Sequence, residues 1–396
     1  MKCVLIISAV YPPEPVVSAR ISSDLYHALK EKGHEVRVLH PIATRPYGFQ
    51  FDEKVELGED EVVTDSYTCP QSSLTGRLWE SVSFGKACAK YIRQHHEEIC
   101  VVYSCGWALF AQYQIARVCD KFGLPDVVPV QDMYPEALSN KLPSWIGNIV
   151  TTCFLPVDKY VLRHAAKIHA ISEKMRDYLV RTRGVEKERF VVIINWQDET
   201  DFLEYHKGAE PEMHEKFTMM YMGNIGPVAG VDLLIEAFEA AQLKEARLVI
   251  AGSGSMKEPL KKQAAGNPNI EFWEVPNGKV PEIQAKADVM LLPIKKGAAG
   301  SSIPSKLPAY MFSAKPVIGC MDEDSDTANA IRESGGGVIV EPENAAKLAE
   351  IIKTVAAMDD NELQAMGERS REYGLQVFSK GINLSKLVNA IISVIK

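Results

Sequence analysis

The sequence predicts an α/β fold made of two doubly wound parallel-sheet halves in one chain. Three observations carry this. Short apolar, β-branched runs alternate with amphipathic helical stretches over most of the length. The alternation pauses once, in a polar, turn-rich segment after Asn195, and then restarts. The 396 residues, 46% hydrophobic and 24% charged, suffice for two packed domains of ordinary size. Such alternation builds right-handed β-α-β units and a parallel sheet covered on both faces.

In the first half, CVLIISA (3–9) reads as a buried strand, followed by a helix from Ser18 to Lys32 and the strand HEVRVLH (34–40). Residues 41–75 carry few periodic signals and many turn formers, so they read as a loop or lid over one end of the sheet. Then come ICVVYS (99–104), a helix after Trp107, DVVPV (126–130), a helix near 145–164, KIHAIS (167–172) and FVVIIN (190–195). Residues 196–216 read as a linker. The second half follows with FTMMYMG (217–223), a helix over 231–242, ARLVIAG (246–252), a helix over 256–265 and NIEFWEV (269–275). A helix near 280–286, DVMLLPI (288–294), a helix from 304, KPVIGC (315–320), a further helix and GVIVEP (337–342) complete it before a helical close. Open parallel sheets bind ligands outside their strands' carboxyl ends, and two such domains are expected to leave a cleft between them.

A formal net charge of −8 argues against a general nucleic-acid binder. The eight cysteines (Cys3, Cys69, Cys88, Cys100, Cys105, Cys119, Cys153 and Cys320) include no Cys-x-x-Cys pair, which suits a reducing cytoplasm. The N-terminal apolar run is too short for a signal peptide, and no uninterrupted apolar stretch reaches the roughly 18 residues of a membrane span. Neither half has G-x-G-x-x-G after its first strand, and no G-x-x-x-x-G-K-[ST] occurs, which disfavours nicotinamide dehydrogenases and P-loop phosphotransferases. Histidines 95, 96, 164 and 169 read as solvated or structural. No cluster has zinc spacing, no G-x-S-x-G elbow is present, and no metal is expected.

Two glycine-bearing turns follow strands directly in the second half: GNIGPVAG (223–230) and AGSGSM (251–256). Glycine admits close backbone approach and a helix N-terminus favours an anion, so Gly223, Asn224, Gly252 and Gly254 are candidate phosphate contacts; tight strand-to-helix turns explain the same glycines. In SSIPSKLPAYM (301–311), Ser301, Ser302 and Ser305 can cap or donate, and Pro304 fits a first helical position. Lys306 then falls in a first turn, where its sign opposes the helix dipole unless an anion is shared between them; a solvated lysine is the bland alternative. In the first half, AVYPPEPVVSAR (9–20) offers Pro13, Glu14 and Arg20, and VQDMYPEAL (130–138) offers Asp132, Tyr134 and Glu136. Asp132 and Glu136 could bind a polar acceptor or serve as acid and base, or else be a helix cap and a solvent-facing side chain.

With YMGNIGPVAGVDLLIEAF, LVIAGSGSMKEPLKK, SIPSKLPAYMFSAKPVIG and GGGVIVEPENAAKLAEII in the second half, and YPPEP, QDMYPEAL and KIHAISEKMRDYLV in the first, nearly the whole chain resembles a retaining glycosyltransferase of family four. Its subgroup features resemble enzymes that build O-antigen, capsule and colanic-acid repeats, such as fucosamine transferases. The resemblance implies a GT-B architecture: an acceptor-side domain over 1–197 with a crossover helix over 382–396, and a nucleotide-sugar domain over 198–381. It implies transfer, without a metal or other cofactor, of a sugar from a UDP- or GDP-linked donor to a saccharide or lipid-linked acceptor. Gly223 and Asn224 would lie near the donor phosphates, Lys306 would neutralise the diphosphate, and Ser302 and Ser305 would contact it. Glu274, Val275 and Pro276 would meet the base. Glu14 and Arg20 would face the cleft, with Asp132 and Glu136 toward the acceptor.

The chain departs from the family's pattern at several places. Ser301 and Ala309 stand where two glutamates are usual, Asn224 and Ala229 where an arginine and a lysine are usual, and Pro15-Val16-Val17 replaces a glycine-rich loop. Ser104 and Cys105 stand where a histidine often lies. A GT-B epimerase or an inactive homologue is the competing expectation. The stretch 142–167 fits an amphipathic helix lying on the inner membrane surface, and equally a core helix with a solvated end.

Overall fold

Every residue of Cys3–Ser8 is buried, as the first strand of a sheet covered on both faces requires. A computed structural model describes residues 2–45, 57–71, 73–105, 109–140, 142–208, 215–297 and 303–395. It divides into two compact units: Met1–Asn195 with Asn383–Lys396, and Trp196–Ile382.

The first unit holds a seven-stranded sheet of β1 (Cys3–Ser8), β2 (Val36–His40), β3 (Glu61–Val63), β4 (Ile99–Cys105), β5 (Asp126–Val130), β6 (Lys167–Ala170) and β7 (Phe190–Val192). All pairings are parallel, in the order β3-β2-β1-β4-β5-β6-β7. The direction of winding reverses between β1 and β4. The second unit holds β8 (Phe217–Met222), β9 (Ala246–Ala251), β10 (Ile270–Trp273), β11 (Val289–Pro293), β12 (Val317–Cys320) and β13 (Gly337–Val340), all parallel, in the order β10-β9-β8-β11-β12-β13. This is the doubly wound Rossmann order, with its switch point between β8 and β11. Its core joins sheet residues such as Tyr221, Ile250 and Leu291 to Leu234, Phe238 and Ile352 of the covering helices.

Two expectations change. Within the supposed loop 41–75, Glu61–Val63 pairs in register with Val38–His40 as an edge strand, while residues 46–56 lie outside the described residues. Within the supposed linker, Thr200–Gly208 is a helix. Its one buried residue, Phe202, meets Phe312 edge to face at 5.7 Å. Glu199 accepts hydrogen bonds from the Ser379 hydroxyl (2.7 Å) and the Lys380 amide (2.8 Å), so this segment is an integral part of the second unit. The closing helix, Lys380–Ile392, passes from the second unit into the first at Asn383.

Candidate functional site

In the second unit the loops at the carboxyl ends of β8, β9, β10 and β11 carry the residues singled out above. The 223–230 turn lies directly across the 252–256 turn. The Gly223 amide donates to Ala251 O (3.0 Å), the Ile225 amide to Ser253 O (2.8 Å) and the Met256 amide to Ile225 O (3.0 Å). A Cβ on Gly252 would collide with the Gly223 carbonyl, and one on Gly254 with the Ile225 carbonyl. Both have positive φ, +128° and +155°. These two glycines therefore have a complete explanation in backbone-on-backbone packing, which supports the Gly223 turn from below.

Gly223, at φ +152°, differs: a Cβ there would strike the Cε of Lys306. The aliphatic part of Lys306 thus lies across the open side of Gly223, and its Nζ stands 4.9 Å from the centroid of the Tyr221 ring. Lys306 is the first residue of the helix Lys306–Phe312, whose other six residues are all buried. Ser305 occupies the cap position, exposed and without a side-chain cap bond, and Pro304 precedes it. Burial lowers the Lys306 ammonium below its ordinary value. No carboxylate among the described residues pairs with it. A half-buried ammonium over a ring face, at the switch point of the sheet, can take an anion. Ser301 and Ser302 lie outside the described residues.

The strand beneath is fixed by Tyr310, fully buried, whose hydroxyl donates to Met222 O (2.7 Å) and accepts from Met222 N (2.9 Å). The Tyr221 hydroxyl donates to Asn224 O (2.6 Å), closing the same turn, and the Asn224 side chain is exposed. Beyond β10, Glu274 is exposed and Val275 half-buried, with Pro276 exposed. Lys257 donates to both Glu274 (2.5 Å) and Gly252 O (2.8 Å), tying the third loop to the second. That ammonium holds the Glu274 carboxyl below its ordinary value. Sequence reasoning missed Tyr221, Tyr310 and Lys257, because their partners lie 3, 88 and 17 positions away in no regular spacing.

In the first unit, Pro13 and Arg20 are exposed, on the loop after β1 and the first turn of the following helix. Glu14 departs from expectation. It is 5% exposed, and its Oε1 accepts the amides of Thr44 (2.7 Å) and Arg45 (2.9 Å). Its carboxylate is engaged in tying the 41–45 segment to the loop after β1. Burial still raises its carboxyl, against those two bonds.

Glu136 is also corrected. It is neither free to act as acid or base nor turned to solvent: Arg183, 1% exposed, donates to it at 2.6 and 2.8 Å, and Tyr178 OH donates at 2.8 Å. Burial would raise its carboxyl, but the Arg183 and Tyr178 bonds outweigh burial and hold it below the ordinary value. Arg183 also donates to Asp158 (2.6 Å) and to the carbonyl of Tyr134 (2.8 Å). Glu136 and Arg183 therefore anchor the loop that carries Asp132 and Tyr134. Asp132 is exposed, and the expectation of a helix cap fails because Pro135 occupies the cap of Glu136–Ser139. Tyr134 is half-buried, and burial raises its phenol. Among the described residues no group of three or more His, Cys, Asp or Glu is placed to hold a metal ion.

Comparison with known proteins accounts for both units. Residues 216–358 match the profile described as "Glycosyl transferases group 1", and residues 18–196 that of the "Glycosyl transferase 4-like domain". The chain is 22% identical to the "Putative colanic acid biosynthesis glycosyl transferase WcaI" of Escherichia coli K12 across 98% of this chain and 99% of that one. It is 23% identical to the "Probable glycosyltransferase WbjE" of Pseudomonas aeruginosa over 68% of each. Among solved structures, Anabaena Alr3699/HepE in complex with UDP has the same fold at a TM-score of 0.65, with 15% identity, over 99% of this chain and 100% of that one. The two Rossmann-like parallel-sheet domains are of the GT-B kind, and a glycosyltransferase profile of its own matches each of them.

Proposed function

We propose that the protein moves a glycosyl residue, with retention of anomeric configuration, from a nucleoside diphosphate sugar to a saccharide hydroxyl during assembly of a surface polysaccharide. The observation that carries this is the Lys306 ammonium, without a carboxylate partner among the described residues, lying across Gly223 at the switch point of the second sheet. A diphosphate set against the Gly223 turn places its leaving-group charge beside that ammonium, in a partly desolvated position where a fixed charge stabilises it strongly. No competing carboxylate among the described residues has to be displaced. The exposed Ser305 and the backbone around Gly223 and Asn224 supply further donors to the phosphates, and the 274–276 segment faces the base. Asp132, the loop's exposed carboxylate, with Tyr134 and Arg20, serves the acceptor in the first unit.

The colanic acid biosynthesis in the name of the Escherichia coli relative supports the polysaccharide setting, and the UDP in the HepE structure supports a nucleotide donor. Retention and a lipid-linked acceptor rest on the resemblance alone. The test is a thermal-shift screen of UDP, GDP and their sugars, followed by a transfer assay with saccharide acceptors. A nucleotide present at about 100 times its Kd stabilises the protein by about 2.7 kcal/mol. The proposal expects such a shift for one base, absent in Lys306→Ala. A shift that persists undiminished in that variant, or none with any nucleotide, contradicts it.

A further inference from the structure

The strand β8 pairs with β9 as far as Met222, but with β11 only at Met219 and Met220. The Gly223 amide bonds toward β9, so the amide and carbonyl of Met222 turn to the other side, where pairing with β11 has ended. Met222 is buried, so both groups need a protein partner. Tyr310 is that partner, its one hydroxyl bonded to the amide at 2.9 Å and to the carbonyl at 2.7 Å. A side chain of the helix Lys306–Phe312 thus stands in for a missing strand, directly beside the Gly223 turn. The other buried residues of that helix, Leu307, Pro308, Ala309, Met311 and Phe312, are all apolar. A phenylalanine would fill the same volume, so the hydroxyl is what needs explaining.

A second buried amide completes the hold. Gln284, on the helix Val280–Ala285, is 1% exposed and directs its Nε2 at the Met222 sulfur (3.5 Å). Its Oε1 accepts from the Ser313 hydroxyl (2.6 Å), and Ser313 ends the helix that Lys306 begins. The residue before Gly223 is therefore held by its amide, its carbonyl and its side chain, and each hold leads back to one short helix. Lys306 and Tyr310 are four positions apart, so they share a face of that helix. The phenol meets Met222 while the aliphatic part of the lysine lies across Gly223, the next residue along. Any shift of the helix against the end of β8 would carry the ammonium with it.

We propose that Tyr310 and Gln284 are positioning residues for the diphosphate grip: by clamping Met222 to the Lys306 helix they set the ammonium over the Gly223 turn. The inference rests on the donor reading given above. Its test is a double-mutant cycle on the binding of UDP and GDP, followed by titration calorimetry, with circular dichroism to confirm the fold of each variant. Tyr310→Phe should weaken the diphosphate that the wild type binds by roughly tenfold, the worth of one or two hydrogen bonds. In a Lys306→Ala background the same substitution should change affinity by less than about twofold, because it acts through the ammonium. Gln284→Met keeps the phenol and removes only the bonds to Met222 and Ser313. It should cost roughly threefold, again only with Lys306 present, and it carries the test if Tyr310→Phe does not fold. A hydroxyl that merely stabilises the fold would weaken binding equally with and without the lysine. That result, or variants that bind as tightly as the wild type while Lys306→Ala does not, overturns the positioning role alone. A wild type that binds neither diphosphate overturns the donor reading and this inference with it.

Discussion

Replacing Lys306 by alanine removes one ammonium and leaves the packing beneath it intact. The other six residues of its helix are buried, and Tyr310 keeps both of its bonds to Met222. The ammonium is half-buried and, among the described residues, meets the Tyr221 ring and no carboxylate, so its loss also removes a desolvation cost, and the variant should unfold at or slightly above the wild-type temperature. At about 4 Å, a unit charge on a diphosphate oxygen interacts with it by about 4 kcal/mol at an effective dielectric constant near 20. Charge-assisted contacts measured by mutation lie at about 1.5–3 kcal/mol. Because leaving-group charge grows on the way to the transition state, turnover should fall by roughly 10²- to 10³-fold. The assay is release of nucleoside diphosphate from the sugar nucleotide selected by the thermal screen, with and without acceptor. Wild-type turnover in a folded Lys306→Ala protein removes the lysine from the mechanism.

Gly223→Ala sets a methyl group against the Lys306 side chain at a φ of +152°, so it should displace the ammonium. Nucleotide affinity is then expected to drop at least about tenfold, readable by titration calorimetry. Arg183→Met leaves Glu136 and Asp158 without their shared partner; urea unfolding should show a loss of about 3–5 kcal/mol, as for other broken buried pairs. Glu136→Gln in the same network should move acceptor KM more than donor KM, because Arg183 also holds the Tyr134 carbonyl. Asp126 is buried at the start of β5 with one bond, from Ser104 (2.8 Å), and burial pushes its carboxyl up to about 7. A raised carboxyl favours the folded state most below its unfolded value near 4 and loses that contribution as pH rises through 7. Asp126→Asn, which mimics the protonated form, should therefore stabilise the protein by on the order of 4 kcal/mol at pH 8 and by almost nothing near pH 4, measured as urea midpoints at both values.

Strands of parallel sheets are apolar on both faces, which is why β1, β4, β5, β8, β9 and β11 stood out as uninterrupted runs and fixed the two-domain architecture. Where burial is partial, the signal fails. Glu61–Val63 is half-buried at every position and follows an acidic stretch, so its pairing with β2 left no periodic trace. The helix Thr200–Gly208 buries only Phe202 and therefore reads as polar linker. The candidate site divides the same way. Its location was legible, because glycine turns and an isolated lysine directly follow strands. The fate of individual carboxylates was not. Glu14 is consumed by amides 30 and 31 residues away, and Glu136 by an arginine 47 residues away. Such long-range partners, rather than local spacing, decide whether an acid is free to react.

A crystal structure with the selected nucleoside diphosphate bound would examine the grip on the leaving group without reliance on rates. It should place the Nζ of Lys306 about 2.7–3.2 Å from a phosphate oxygen, with the diphosphate against the Gly223 turn. A diphosphate bound elsewhere, with that ammonium still resting on the Tyr221 ring, would contradict the account.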